Sequence, residues 1–176
     1  MRFEPTAIPG VMVVEAAPHR DERGAFARVY CPDEFAAAGI AFASTQINLS
    51  ANPILHTLRG MHLQPAPFAE AKLVRAVRGR AFDVALDLRP DSPTFRRWVA
   101  AELSAENMRA LFLPEGIAHG FLTLEPGTDI LYQMGRPYEP GHEAGVRWDD
   151  PAFAIAWPHK PAAIAPRDAA YPDFRG

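Results

Sequence analysis

The stretch Arg80-Ala-Phe-Asp-Val-Ala-Leu-Asp-Leu88 puts Phe82, Val84, Leu86 and Leu88 on one side of an extended chain and Asp83 and Asp87 on the other. Alternation with a period of two is the mark of a β-strand, here with its apolar side in the core and its aspartates elsewhere. The pattern recurs outward in both directions as short runs separated by Gly, Pro, Asp or Asn: 11–15, 25–30, 45–50, 58–62 and 72–77 before it, and 98–103, 110–113, 119–124, 130–135 and 153–157 after it. Helical signal is sparse. Asp33 is placed to cap a short helix over 34–38 that stops at Gly39, and Ser104-Ala-Glu-Asn107 is placed to form a single turn. The proline-rich tail beyond Trp157 reads as an extended strap against the body. Many short strands with regular turn signals predict an all-β, antiparallel jelly roll with a few short helices, a fold that often encloses a central cavity.

Composition agrees. The 176 residues form one predicted domain over 1–176, with 48% hydrophobic and 22% charged residues, close to the globular average. Eighteen Pro, roughly twice the usual ~5%, and 12 Gly favour turns over long helices. A net charge of −3 supplies no basic field of the kind nucleic-acid backbones require. The single cysteine, Cys31, excludes an intramolecular disulfide and a cysteine-rich zinc site. No run approaches the ~18 apolar residues of a membrane span, and no apolar stretch follows Arg2 to make a signal peptide. The expectation is a cytoplasmic protein with no nucleic-acid or membrane partner.

Chemistry concentrates in three places. Leu58-Arg-Gly-Met-His-Leu-Gln64, followed by Lys72, carries Arg59, His62, Gln64 and Lys72 on or beside consecutive strands. Singly these read as solvated charges and a sheet histidine; together they are a pocket candidate, with His62 as the base. Pro114-Glu-Gly-Ile-Ala-His-Gly-Phe121 delivers His119 between two glycines and resembles the second metal motif of cupin jelly rolls. The first half of that motif is missing, because the earlier run reads His62-Leu-Gln64 with no second histidine, so no metal is expected. Tyr132, with Tyr138 six residues on, places a phenol opposite an imidazole, the acid and base that inversion of a carbon centre requires. Asp83, opposite the apolar face of its strand, is placed to face a cavity, and Asp168 in the tail to fold back and orient a histidine; the other reading of each is an ordinary surface or turn aspartate. Arg23-Gly24-Ala25-Phe26-Ala27-Arg28 reads as a hairpin edge with two arginines about an aromatic ring. No G-x-S-x-G, G-x-G-x-x-G or phosphate-binding P-loop occurs.

Taken in order, Asp21-Glu-Arg-Gly-Ala-Phe26, Gln46-Ile-Asn48, Leu58 to Gln64, Lys72-Leu-Val, Asp83-Val, Arg89-Pro-Asp-Ser-Pro-Thr-Phe95, Pro114 to Phe121 and Trp148-Asp-Asp-Pro151 before Ile155-Ala-Trp-Pro158 resemble the dTDP-4-dehydrorhamnose 3,5-epimerase family over about residues 3–170. The resemblance implies a metal-free, cofactor-free cupin homodimer acting on a nucleotide-linked 4-keto-6-deoxyhexose. Residue by residue, it implies His62 as base, Asp168 as its orienting partner, Tyr132 as the opposing acid and Lys72 as the group that stabilises the enolate. It implies substrate binding by Arg23, Phe26, Gln46, Asn48, Arg59, Lys72, His119, Tyr138 and Glu143, with Arg23 and Phe26 supplied by the neighbouring subunit. Arg28 stands where the family has an acidic residue that helps bind the base, so it is a binding candidate of altered character, toward another nucleotide or a phosphate. Ala165 and Arg167 also depart from the family's tail. Three alternatives stand beside this reading: a 3-only or 5-only epimerase on a CDP- or GDP-linked sugar, a non-catalytic sugar-nucleotide-binding jelly roll, and a metal-dependent cupin enzyme.

Overall fold

The computed structural model describes residues 1–175. In chain order its elements are β1 (Arg2–Pro5), β2 (Met12–Glu15), β3 (His19–Asp21), β4 (Gly24–Phe26), α1 (Pro32–Ala37), β5 (Gln46–Asn52), β6 (Thr57–Leu63), β7 (Lys72–Arg78) and β8 (Arg80–Asp87). There follow β9 (Trp98–Ser104), β10 (Arg109–Leu113), β11 (Ile117–Thr123), β12 (Thr128–Met134), β13 (Ala144–Gly145), β14 (Ala163–Ile164) and α2 (Pro166–Ala169). One six-stranded sheet runs β1-β2-β10-β7-β12-β5; the facing sheet runs β13-β6-β11-β8-β9, and β3 and β4 form a separate hairpin. All pairings are antiparallel except β14, which lies parallel to β6. This is the predicted jelly roll.

Strand parity explains the packing. Val74 and Ala76 from β7, Leu111 and Leu113 from β10 and Ile130 from β12 meet Ala81, Ala85, Leu103, Ile117 and Phe121 from the facing sheet in the barrel interior. A second core, with Phe35, Phe42, Leu73 and Phe112, lies where α1 covers the outside of the first sheet. A third, with Met61, Val84, Leu86, Phe153 and Ile155, lies beneath the 146–157 segment on the outside of the second.

That third core shows which layer covers each face of β8. Its large apolar residues point away from the barrel, under the covering segment, while Asp83 and the small Ala81 and Ala85 face the interior. Both faces are therefore buried. Asp87 at the strand's end accepts from Arg89, Ser92 and Thr94 and orders the following turn; although burial opposes ionisation, these donors hold its carboxyl well below the ordinary range.

Three expectations are corrected. Strand 25–30 ends at Phe26, because Tyr30 leaves the ladder to pack on Phe35 and donate to the Phe42 carbonyl. The 153–157 run is no strand: Asp150 gathers the backbone N–H groups of Ala152 and Phe153 into a turn, and Ala154 takes φ +48°. Asp33 does not cap α1; Cys31 is the N-cap, without a side-chain bond, and Pro32 opens the helix. The turn at 104–107 forms as expected, closed by reciprocal Ser104–Asn107 bonds of 3.0 Å. Beyond Trp157 the tail does strap the body, through β14 against β6 and then α2.

Candidate active site

The β6–β11 pair builds one wall of a cavity of about 290 Å³. His119 pairs with His62, but Phe121 pairs with Arg59, so β6 carries one residue more than β11 between these points. This bulge has a consequence for parity: residues 59 and 62 would face opposite ways on a regular strand, yet here Arg59 and His62 both line the cavity. Glycine permits it. A Cβ on Gly60, which has φ +125°, would fall 2.5 Å from the Gly120 Cα and 2.8 Å from the His119 carbonyl oxygen.

His62 is half-buried, and its Nε2 lies 2.7 Å from Asp168 Oδ1. The other carboxylate oxygen of Asp168 accepts the Gly60 backbone N–H at 3.1 Å. Burial works to raise the Asp168 pKa, but the His62 hydrogen bond and charge, the Gly60 N–H and the nearby Arg167 together hold it below the ordinary range. An ionised carboxylate can only accept, so Nε2 of His62 donates to it, and in the neutral tautomer this leaves the lone pair on Nδ1.

A pH dependence follows. A depressed carboxyl pKa stabilises the fold above the ordinary value, and that contribution is lost as pH falls below about 4 and through the folded-state value. Melting wild type and Asp168→Asn from pH 7 to pH 3 is expected to show a difference in Tm that closes in acid; a constant difference would refute the linkage.

Behind His119 stands a second carboxylate: its Nε2 is 3.0 and 2.9 Å from the two oxygens of fully buried Asp83. Burial pushes Asp83 up, and the contact with His119 opposes this. From the facing sheet come Lys72 on β7 and Tyr132 on β12. The Tyr132 ring meets His119 edge-on at 5.6 Å. Burial, and then the charge of Asp83, push its phenol well above the ordinary value against the pull of Arg59, so the hydroxyl is a protonated donor at neutral pH. An imidazole and a protonated phenol thus look into one cavity from opposite sheets.

Asn48, Tyr138 and Glu143 complete the group of expected residues that line it. Gln46 sits beside them, donating to Asn48 Oδ1 and accepting the Tyr138 backbone N–H, each at 3.0 Å. Five expected residues are absent from the lining: Gln46 and Asp168, which bond to residues in it, and three that stand apart. Arg23 and Phe26 stand on the β3–β4 hairpin, with Arg23 bonded to Asp21 and Phe26 77% exposed. Arg28 is paired with Glu34 at 2.7 Å. Glu70 and Arg167 line the cavity although they were not among the candidates; the signal for Glu70 was a carboxylate two residues before Lys72. Among the described residues, no three of His, Cys, Asp and Glu group as a metal set.

Fold and site define an enzyme of the cupin-type jelly-roll class, equipped to move protons inside a cavity. Residues 5–176 match the family model described as dTDP-4-dehydrorhamnose 3,5-epimerase. The chain belongs to that family. It is 40% identical to a dTDP-4-dehydrorhamnose 3,5-epimerase of Sinorhizobium fredii, over 99% of this chain and 90% of the other. It is 38% identical to a dTDP-4-dehydrorhamnose 3-epimerase of Streptomyces niveus, over 96% and 81%. Among solved structures, the Bacillus anthracis dTDP-4-dehydrorhamnose 3,5-epimerase with TDP and pyrophosphate bound superposes with a TM-score of 0.95 at 35% identity, covering 98% of this chain and 99% of that one.

Proposed function

We propose that this chain, acting as a single epimerase domain, inverts carbon 3 and carbon 5 of a nucleotide diphosphate-linked 4-keto-6-deoxyhexose of the dTDP-4-dehydro-6-deoxyglucose type. The observation that carries the reading is the pairing of the His62–Asp168 dyad with Tyr132 across one cavity. A ketone at carbon 4 acidifies the hydrogens on its two neighbours. His62 Nδ1 takes a proton from one face, electron density moves to the carbonyl oxygen, and the Lys72 ammonium stabilises the enolate. Tyr132 then delivers a proton from the other face, which inverts the centre. Arg59 is suited to a diphosphate oxygen through paired N–H donors, and Gln46, Asn48, His119, Tyr138 and Glu143 hold the remainder of the substrate. The reaction moves no net electrons, so no cofactor is assigned to it.

The test is proton NMR with dTDP-4-keto-6-deoxyglucose in deuterium oxide. Loss of the signals at carbons 3 and 5, with inversion, is the expected result. Loss of one alone would make the chain a single-site epimerase. No exchange with this substrate, but exchange with its CDP or GDP analogue, would move the nucleotide assignment.

A homodimer belongs to the same reading. β5 is the edge of its sheet, and its outward residues Ile47 and Leu49 are 61% and 60% exposed. A two-stranded hairpin such as β3–β4 is marginal alone and gains from a surface to lie on; a second copy would supply that surface and receive Arg23 and Phe26 in its site. Ile47→Asp is expected to convert a dimer into a species of the 19.3 kDa chain mass in sedimentation velocity and to lower activity with it. A wild type already monomeric, or a variant still dimeric, would defeat this arrangement. Among the described residues no helix is long and apolar enough to cross a membrane, and a cytoplasmic location is part of the proposal.

A further inference from the structure

Lys72 is held by a charged partner to which the reaction above gives no part. Its ammonium lies 3.1 Å from Glu70 Oε1 and 3.4 Å from the His62 carbonyl oxygen. Both side chains are buried, at 9% exposure for Lys72 and 3% for Glu70. The far oxygen of Glu70 accepts from Gln64 Nε2, and Gln64 Oε1 in turn accepts the Glu139 backbone N–H at 3.2 Å. Glu70 is thus itself anchored to the loop that bears Tyr138.

An ammonium has three N–H donors and no acceptor. One is directed at the His62 carbonyl, and the ion pair with Glu70 holds the charged head group from the other side, which fixes where the ammonium stands and leaves N–H donors for a ligand in the cavity. Without Glu70, a flexible four-carbon stem would carry a buried charge with one oxygen partner fewer and more freedom to turn. The remaining charged or titratable groups lining the cavity are Arg59 and His62 from β6, His119 from β11, Tyr132 from β12, Glu143 with Tyr138, and Arg167 from α2. Of the two carboxylates in that lining, Glu143 is engaged by the Tyr138 hydroxyl, which leaves Glu70 as the one on Lys72.

We propose that Glu70 is a positioning residue for the epimerisation: anchored by Gln64, its carboxylate holds the Lys72 ammonium by its charge at the place where an N–H meets the substrate's carbonyl oxygen. The inference rests on the enolate-stabilising role assigned to Lys72 above.

The chain has two lysines, Lys72 and the exposed Lys160, so the side-chain ammonium groups can be followed individually by 15N NMR in the full-length protein. A buried, hydrogen-bonded ammonium exchanges slowly with water and gives a signal that Lys160 does not. In Glu70→Gln the Lys72 signal is expected to broaden or vanish. In the same variant kcat is expected to fall roughly ten- to a hundredfold with KM within about twofold, as for a misplaced catalytic group. Glu70→Asp, which keeps the charge one methylene short, is expected to be intermediate in both readouts and carries the test if Glu70→Gln does not fold. Wild-type kcat in Glu70→Gln overturns the proposal, and so does a lower kcat with an unchanged Lys72 signal. Failure of the epimerase reading looks different: wild type itself then exchanges no sugar hydrogen while the NMR signal still reports whether Glu70 holds Lys72.

Discussion

His62→Ala is expected to abolish solvent exchange at carbons 3 and 5 together, with kcat lower by roughly a thousand- to ten-thousandfold, about 4–5 kcal/mol of barrier. The size of the effect follows from where the residue stands. Asp168 fixes the imidazole orientation at 2.7 Å; the other carboxylate-backed imidazole of the lining, His119 on Asp83, is buried at 5% side-chain exposure against 36% for His62, so it is much the less open to substrate. Deleting the ring leaves Asp168 one partner, the Gly60 N–H, so a modest stability cost accompanies the loss. A cost of about 1 kcal/mol corresponds to roughly 2–4 °C in Tm for a chain of this size, far too little to explain the rate. Exchange persisting within tenfold of wild type at either carbon would remove His62 from the mechanism.

Much of this site was legible because strand runs carry their chemistry with them. Arg59, His62 and Lys72 fall on successive strands, and His119 and Tyr132 on two more, so any jelly-roll pairing of these runs draws them toward one interior. What escaped was set by contacts distant in sequence or by single-residue irregularities. The bulge at Gly60 depends on Gly120 lying opposite, a fact of pairing that neither strand reveals alone. Alternation along β8 shows that Phe82, Val84 and Leu86 share an apolar face opposite Asp83, not which layer meets each face; the 146–157 segment that buries the apolar face from outside is remote in sequence. Phe153 and Ile155 mimic a strand because a turn closed on Asp150 also buries alternate residues. Asp168 sits in a four-residue helix with no amphipathic pattern to announce it; the residues left it open between a surface aspartate and a histidine's partner, and the family likeness chose the second. Glu70 was passed over because a carboxylate beside a lysine in a proline-rich loop reads equally as solvated charge. Burial, which sequence does not display, distinguishes the two.

Tyr132→Phe separates the two halves of the reaction. The substitution removes one hydroxyl and keeps the ring that meets His119 at 5.6 Å, so cavity shape and the His62–Asp168 dyad on the opposite sheet are retained. Proton abstraction by His62 is therefore expected to continue, and the enolate, lacking a donor on the far face, is reprotonated by the imidazolium from the side it left. That imidazolium exchanges with deuterium oxide, so label enters the sugar without inversion. The expected result is deuterium incorporation within about tenfold of wild type, with formation of the inverted product lower by roughly a hundredfold or more. The phenol's raised pKa fits this division of labour, because a group kept protonated by burial and by the charge of Asp83 serves as a donor and not as a competing base. Incorporation and inversion falling in equal proportion would place Tyr132 in binding or in enolate stabilisation. Inversion at the wild-type rate would assign the acid to another group on that wall.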